Sequence, residues 1–162
     1  MLDFDNACPD VEVPPESVFA DWVTTAVEMT GAARGSKPVT LSLRIVDELE
    51  SAQLNHDYRG LNYATNVLSF GHGLPQVILD ALEEQPLGDL AICAPVVLRE
   101  AAEQGKTAHA HWAHMVVHGL LHLLGHDHED DAQADRMETL ERNILQALGI
   151  TDPYQEKTQE NE

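Results

Sequence analysis

The 162-residue sequence predicts an α+β domain, a small mixed β-sheet packed with helices around one central buried helix. Three observations carry that expectation. Apolar and polar residues alternate from Val39 to Ile45, as in a half-buried strand. Other segments repeat apolar residues at helical spacing. One late helix, Thr107 to Leu124, is apolar around most of its circumference, the mark of a helix buried on nearly every side.

In chain order, the first helix follows Pro14-Pro15. Val18, Phe19, Trp22, Val23, Ala26, Val27 and Met29 fall at helical spacing, and Gly31 stands where the helix should stop. Lys37-Pro38 leads into a strand over Val39–Val46. Asp47 with Glu50 three residues on is a capping-box pattern, opening a short helix from Glu48 to about Asn55 that Tyr58-Arg59-Gly60 breaks. A second strand covers Thr65–Phe70. The connection from Gly71 to Pro86 holds a helical turn through Val77–Leu82, and Leu87–Cys93 forms a third strand. Pro95 opens a helix to Gln104. The central helix runs to Leu124 before Gly125, and an amphipathic helix, Asp131–Leu148, closes the domain with its acidic face in solvent. Residues 1–151 read as a single domain, and 152–162 as a flexible polar tail.

Nine Lys and Arg against 28 Asp and Glu leave a formal charge of −19. Such a chain is repelled by phosphate backbones, which argues against indiscriminate nucleic-acid binding and against DNA as a partner. Cys8 and Cys93 match neither a disulfide framework nor a metal-ligand spacing, and a reducing, cytoplasmic setting fits them. No apolar run approaches the roughly 20 residues of a membrane span, and the acidic start is unlike a signal peptide. Trp22, Trp112 and Cys93 read as core.

Seven of the nine histidines lie between His109 and His128. His111, His114, His118 and His122 fall on one helical stripe. His118 and His122 are one turn apart, so both imidazoles can reach one ion at about 2.0–2.1 Å. A left-handed Gly125 lets the chain return a third imidazole from His128. Three histidines with an open fourth position describe a catalytic zinc site, one ion per chain.

The same spacing occurs in the metzincin peptidase pattern H-E-x-x-H-x-x-G-x-x-H, but Gly119 stands where that pattern has its general-base Glu. Peptide hydrolysis is disfavoured on that ground; a metzincin-like hydrolase of another substrate class is an alternative. The H-x-E and P-C-x-x-C elements of zinc deaminases are absent. Around the cage, His114 could orient a ligand or relay a proton, and Asp127 could accept from a ligand imidazole or hold the turn. Ser69 and Asn66 lie on a strand that could line the cleft, with backbone support as the simpler role. His126 adds an imidazole read as outside the cage.

Several elements together resemble the YbeY-type bacterial endoribonuclease family, also called the rRNA maturation factor family. They are His118-Gly-Leu-Leu-His-Leu-Leu-Gly-His-Asp-His128, Tyr58-Arg59-Gly60, Thr65-Asn-Val-Leu-Ser-Phe70, Leu87-Gly-Asp-Leu-Ala-Ile-Cys93, Ala110-His-Trp-Ala-His-Met-Val-Val117 and Ala147-Leu-Gly. The resemblance covers roughly Val39 to Tyr154; the first 38 residues carry little of it. It implies a single-strand-preferring, metal-dependent endoribonuclease that matures the 3′ end of 16S rRNA and takes part in 70S ribosome quality control. It also implies zinc on His118, His122 and His128, with Arg59 as the functional residue outside the cage. The partners it implies are rRNA or other single-stranded RNA and small-subunit ribosomal proteins or assembly factors. The chemistry that fits is a zinc-activated water with Arg59 as a planar clamp on the phosphate. Two places depart from the family pattern: Asn62 and Ala64 stand where Asp and Pro are common, and His126 where Tyr is common. A non-enzymatic ribosome assembly factor with a structural zinc is the second alternative. Of the 28 acids, 11 lie from Asp127 onward, largely on the last helix and tail, so the negative charge need not fall on the cleft.

Overall fold

The structure, a computed structural model, describes residues 1–33, 35–127 and 129–150. His128 and the tail 152–162 lie outside the described residues. The elements follow in the order β1 (Leu2–Asn6), α1 (Glu16–Thr30), β2 (Val39–Val46), α2 (Glu48–Arg59), β3 (Val67–Phe70), α3 (Gln76–Ala81), β4 (Gln85–Cys93), α4 (Ala94–Glu103), α5 (Ala108–Leu123) and α6 (Asp131–Ala147). The four-stranded sheet has the order β1-β2-β4-β3. β1, β2 and β4 are parallel and β3 is antiparallel to β4, so the sheet is mixed as expected.

One face of the sheet carries Leu41, Leu43, Ile45, Leu90 and Ile92 into the main core with α1, α5 and α6. Phe19, Trp22 and Trp112 meet there edge to face, with ring centroids 5.4 and 5.6 Å from Phe19. The other face packs Val46, Leu68, Ala91 and Cys93 against Leu54 of α2 and Val96 of α4. Helix α5 is the central helix: Trp112, Val116, Val117, Leu120 and Leu121 are all buried. No helix among the described residues is long and apolar enough to cross a membrane.

One strand is added to the sequence expectation and three elements move an end by two residues or more, each for a local reason. Strand β1 was not expected; Leu2 and Phe4 pack on the core while Asp3 and Asp5 face out, an alternation too short to stand out in an acidic start. Helix α2 runs one turn further, to Arg59, because Gly60 at φ +71° supplies its left-handed end. Strand β3 begins at Val67, since the Thr65 backbone is bonded on both its N–H and C=O to Ser51 Oγ of α2 at 3.0 Å. Strand β4 starts at Gln85 and tolerates Pro86, because β3 pairs only with Asp89–Ile92 and asks nothing of the missing N–H.

Gly88 fixes where the site forms. It sits at φ +138° beside the irregular register of β2 and β4, and a Cβ there would lie 2.5 Å from the Phe70 carbonyl oxygen and 2.9 Å from Leu123 Cδ2. Only glycine lets β4 approach so closely the end of β3 and the end of α5, the two elements that wall the cleft.

Candidate metal centre

Helix α5 is set by its two ends. Thr107 Oγ1 caps the start by accepting from the Ala110 N–H at 3.1 Å. At the other end Gly125 adopts φ +92°, and the N–H groups of Gly125 and His126 return to the carbonyls of His122 and Leu121 at 3.0 Å. The expected left-handed turn is therefore present, and it leads the chain out of the helix toward Asp127.

Along the stripe the histidines run from core to cleft, with side-chain exposure of 2% at His111, 11% at His114 and 26% at His118. His111 lies too deep to meet a ligand in solvent; its Nε2 is 2.9 Å from Glu100 Oε1. Burial pushes its pKa down, against the opposing pull of Glu100, so the ring is neutral and donates from Nε2. His118 and His122 face each other with their Nε2 atoms 3.1 Å apart. Two ligands of a tetrahedral ion at about 2.05 Å each stand about 3.3 Å apart, so this pair suits one zinc with little adjustment.

Glu141 of α6 is the residue that sequence reasoning missed. The acidic face of the last helix was expected in solvent, yet Glu141 is 1% exposed. Its Oε2 lies 2.6 Å from His118 Nδ1 and 3.3 Å from His114 Nε2. Burial alone would raise this carboxyl's pKa, but the hydrogen bonds from His114 and His118 outweigh it and hold the group well below the usual carboxylate range. An ionised carboxylate only accepts, so His118 must carry its hydrogen on Nδ1 and turn the Nε2 lone pair toward His122. The signal was in the spacing: Met137, Glu141, Ile144 and Leu145 form the buried stripe of α6, with one acid among apolar residues. His114, His118 and Glu141 bring ligand-capable atoms within 4.8 Å of one another, a grouping that could hold a metal ion. Lys106 Nζ lies 3.5 Å from His114 Nδ1, on the other side of that ring.

The absence of a metzincin-type Glu has a physical cause. A Cβ at Gly119 would lie 2.9 Å from Leu90 Cδ2 and 3.0 Å from Val67 Cγ2, because α5 rests directly on the sheet there. Gly119→Ala should therefore cost about 1–3 kcal/mol in urea unfolding as both neighbours shift. A cost below about 0.5 kcal/mol would show that the contact is not tight.

A cleft of about 570 Å³ opens beside the histidine pair, lined among others by Arg59, Asn66, Ser69, His118, His122 and Asp127. Arg59 comes from the last turn of α2, exposed, and makes no ion pair among the described residues. Ser69 Oγ donates to the Gly119 carbonyl at 3.0 Å and so ties β3 to α5. His126 is partly buried, and Asn62 is exposed with its Oδ1 2.6 Å from His56 Nδ1, away from the cleft lining. The sequence-derived residues Arg59, Ser69, His118, His122 and Asp127 thus share one cleft; His114 stands behind it.

The family model for Endoribonuclease YbeY matches residues 3–149. The chain is 55% identical over 148 residues to "Endoribonuclease YbeY" of Xanthomonas campestris pv. campestris, covering 91% of this chain and 89% of that protein. It is 55% identical over 142 residues to the protein of the same name from Alkalilimnicola ehrlichii, covering 88% and 82%. Among solved structures, the solution structure of TM1509 from Thermotoga maritima shares the fold, with a TM-score of 0.57 at 21% identity over 96% of this chain and 99% of that one.

Proposed function

The chain belongs to the YbeY endoribonuclease family, and from that premise we propose that it is a zinc-dependent endoribonuclease acting on single-stranded RNA in rRNA processing. The observation that carries this reading is the pair of facing Nε2 atoms on His118 and His122, 3.1 Å apart, on a cleft that Arg59 also lines. We assign the zinc to His118, His122 and His128, with Glu141 outside the cage. The 2.6 Å between His118 Nδ1 and Glu141 is a charge-assisted hydrogen bond, too short for two ligands of one ion. When bound, the zinc supplies a Lewis acid for a phosphate oxygen and lowers the pKa of water toward neutrality.

The remaining work falls to the chain's own residues. Glu141 holds the tautomer and direction of His118. Ser69 keeps α5 at a fixed distance from β3. Arg59 offers two parallel N–H donors to a phosphodiester, and among the described residues it is engaged in no ion pair. The acids concentrated on α6 and beyond repel polyanions, so RNA binding depends on the cleft and on partner proteins of opposite charge, with small-subunit ribosomal proteins as the proposed class.

Arg59→Ala should lower the cleavage rate of a single-stranded rRNA fragment about 100-fold while zinc per chain stays unchanged. Loss of zinc in that variant would make Arg59 a structural residue.

A further inference from the structure

Asn66 stands on the cleft wall, and both ends of its amide are held. Its Oδ1 accepts from the Val67 N–H at 2.6 Å, and its Nδ2 donates to Glu100, 3.1 and 3.3 Å from the two carboxylate oxygens. Those two bonds settle which end of the amide is nitrogen, since a flipped side chain would set oxygen against carboxylate. The Asn66 carbonyl also accepts from the Cys93 N–H at 2.9 Å, anchoring the residue to the sheet. Glu100 is in turn held by the buried His111 of α5, at 2.9 Å. Three elements, α4, α5 and the start of β3, therefore converge on one amide.

An amide nitrogen carries two hydrogens, and the Glu100 carboxylate shares one. From this we infer that Asn66 presents its other N–H to a backbone oxygen of the RNA strand, and that Glu100, steadied by His111, is the positioning residue that aims it. The inference rests on the proposed reading of the cleft as the RNA-cleaving site. A strut for β3 would need only the bonds to Val67 and Cys93. The added carboxylate, 27% exposed close to the cleft, would repel phosphate if left bare. Bonded to Asn66, it instead polarises the amide and strengthens the remaining N–H as a donor. Beside the Arg59 cation on the cleft lining, a neutral donor adds affinity that salt does not screen.

The test is single-turnover cleavage of a labelled single-stranded RNA oligonucleotide by zinc-loaded protein, recording the half-saturating concentration, the plateau rate and zinc per chain. Asn66→Ala and Glu100→Ala should each raise the half-saturating concentration about tenfold, with zinc unchanged. The double variant should be no weaker than either single one, and Glu100→Gln, which keeps an acceptor for Asn66, should recover most of the loss. An unchanged Asn66→Ala, or effects of the two alanines that multiply, would overturn the inference. If Glu100→Ala does not fold, Asn66→Asp decides: it keeps the bond to Val67 but has no donor, so binding like wild type would overturn it. Wild-type protein that shows no zinc-dependent cleavage would overturn the cleft reading itself; active wild type with indifferent Asn66→Ala would overturn only this inference.

Discussion

His122→Ala protein should bind no stoichiometric zinc and cleave single-stranded RNA at least about 100-fold more slowly than wild type. The effect is large because His122 supplies one of two imidazoles whose Nε2 atoms meet at 3.1 Å. His126 follows the left-handed turn, and His114 points its Nε2 at Glu141 instead. His122 is also only partly buried at the end of α5, so its loss should leave the core of Trp112, Val116 and Leu120 intact. The check is metal analysis beside cleavage, with thermal unfolding of the metal-free proteins as the control for folding. A variant that keeps one zinc per chain would move the ion to the neighbouring group of His114, His118 and Glu141.

Glu141→Gln should weaken zinc binding about 10- to 100-fold in competition with a chelating dye, and lower cleavage at limiting zinc accordingly. Glutamine fills the same volume and can still accept from one ring. It lacks the charge that holds the His118 hydrogen on Nδ1 and that two imidazoles share at 2.6 and 3.3 Å. At saturating zinc most of the cleavage rate should return, since Glu141 acts through His118 and does not line the cleft. A change in zinc affinity below about threefold would reduce Glu141 to a packing residue of α6.

Local chemistry made most of the architecture legible. The alternation in β2, the Asp47 cap, and the glycines at 31 and 125 each act within a few residues, so the sequence displays them. The histidine stripe was legible for the same reason, because helical periodicity alone puts His118 and His122 one turn apart. What reading along the chain could not supply was depth. His111, His114 and His118 share a stripe in sequence, yet the packing of α4 and α6 buries the first two behind carboxylates and leaves the third at the cleft. Glu100 and Glu141 were hidden because each reaches its histidine from another helix, and their sequence neighbourhoods look like ordinary acidic surface. The missing Glu at position 119 was visible, but its cause, the contact with Leu90 and Val67, belongs to the layering of α5 on the sheet.

The measurement that bears most directly on the account is cleavage of a single-stranded rRNA fragment by chelator-treated protein, with zinc then returned in measured steps. Chelation should abolish cleavage, and about one equivalent of zinc per chain should restore it in wild type. Zinc should not restore it in His118→Ala, which loses the ion, or in Arg59→Ala, which keeps it. Cleavage that survives chelation, or that persists in His118→Ala, would contradict a metal centre on α5 as the origin of the activity.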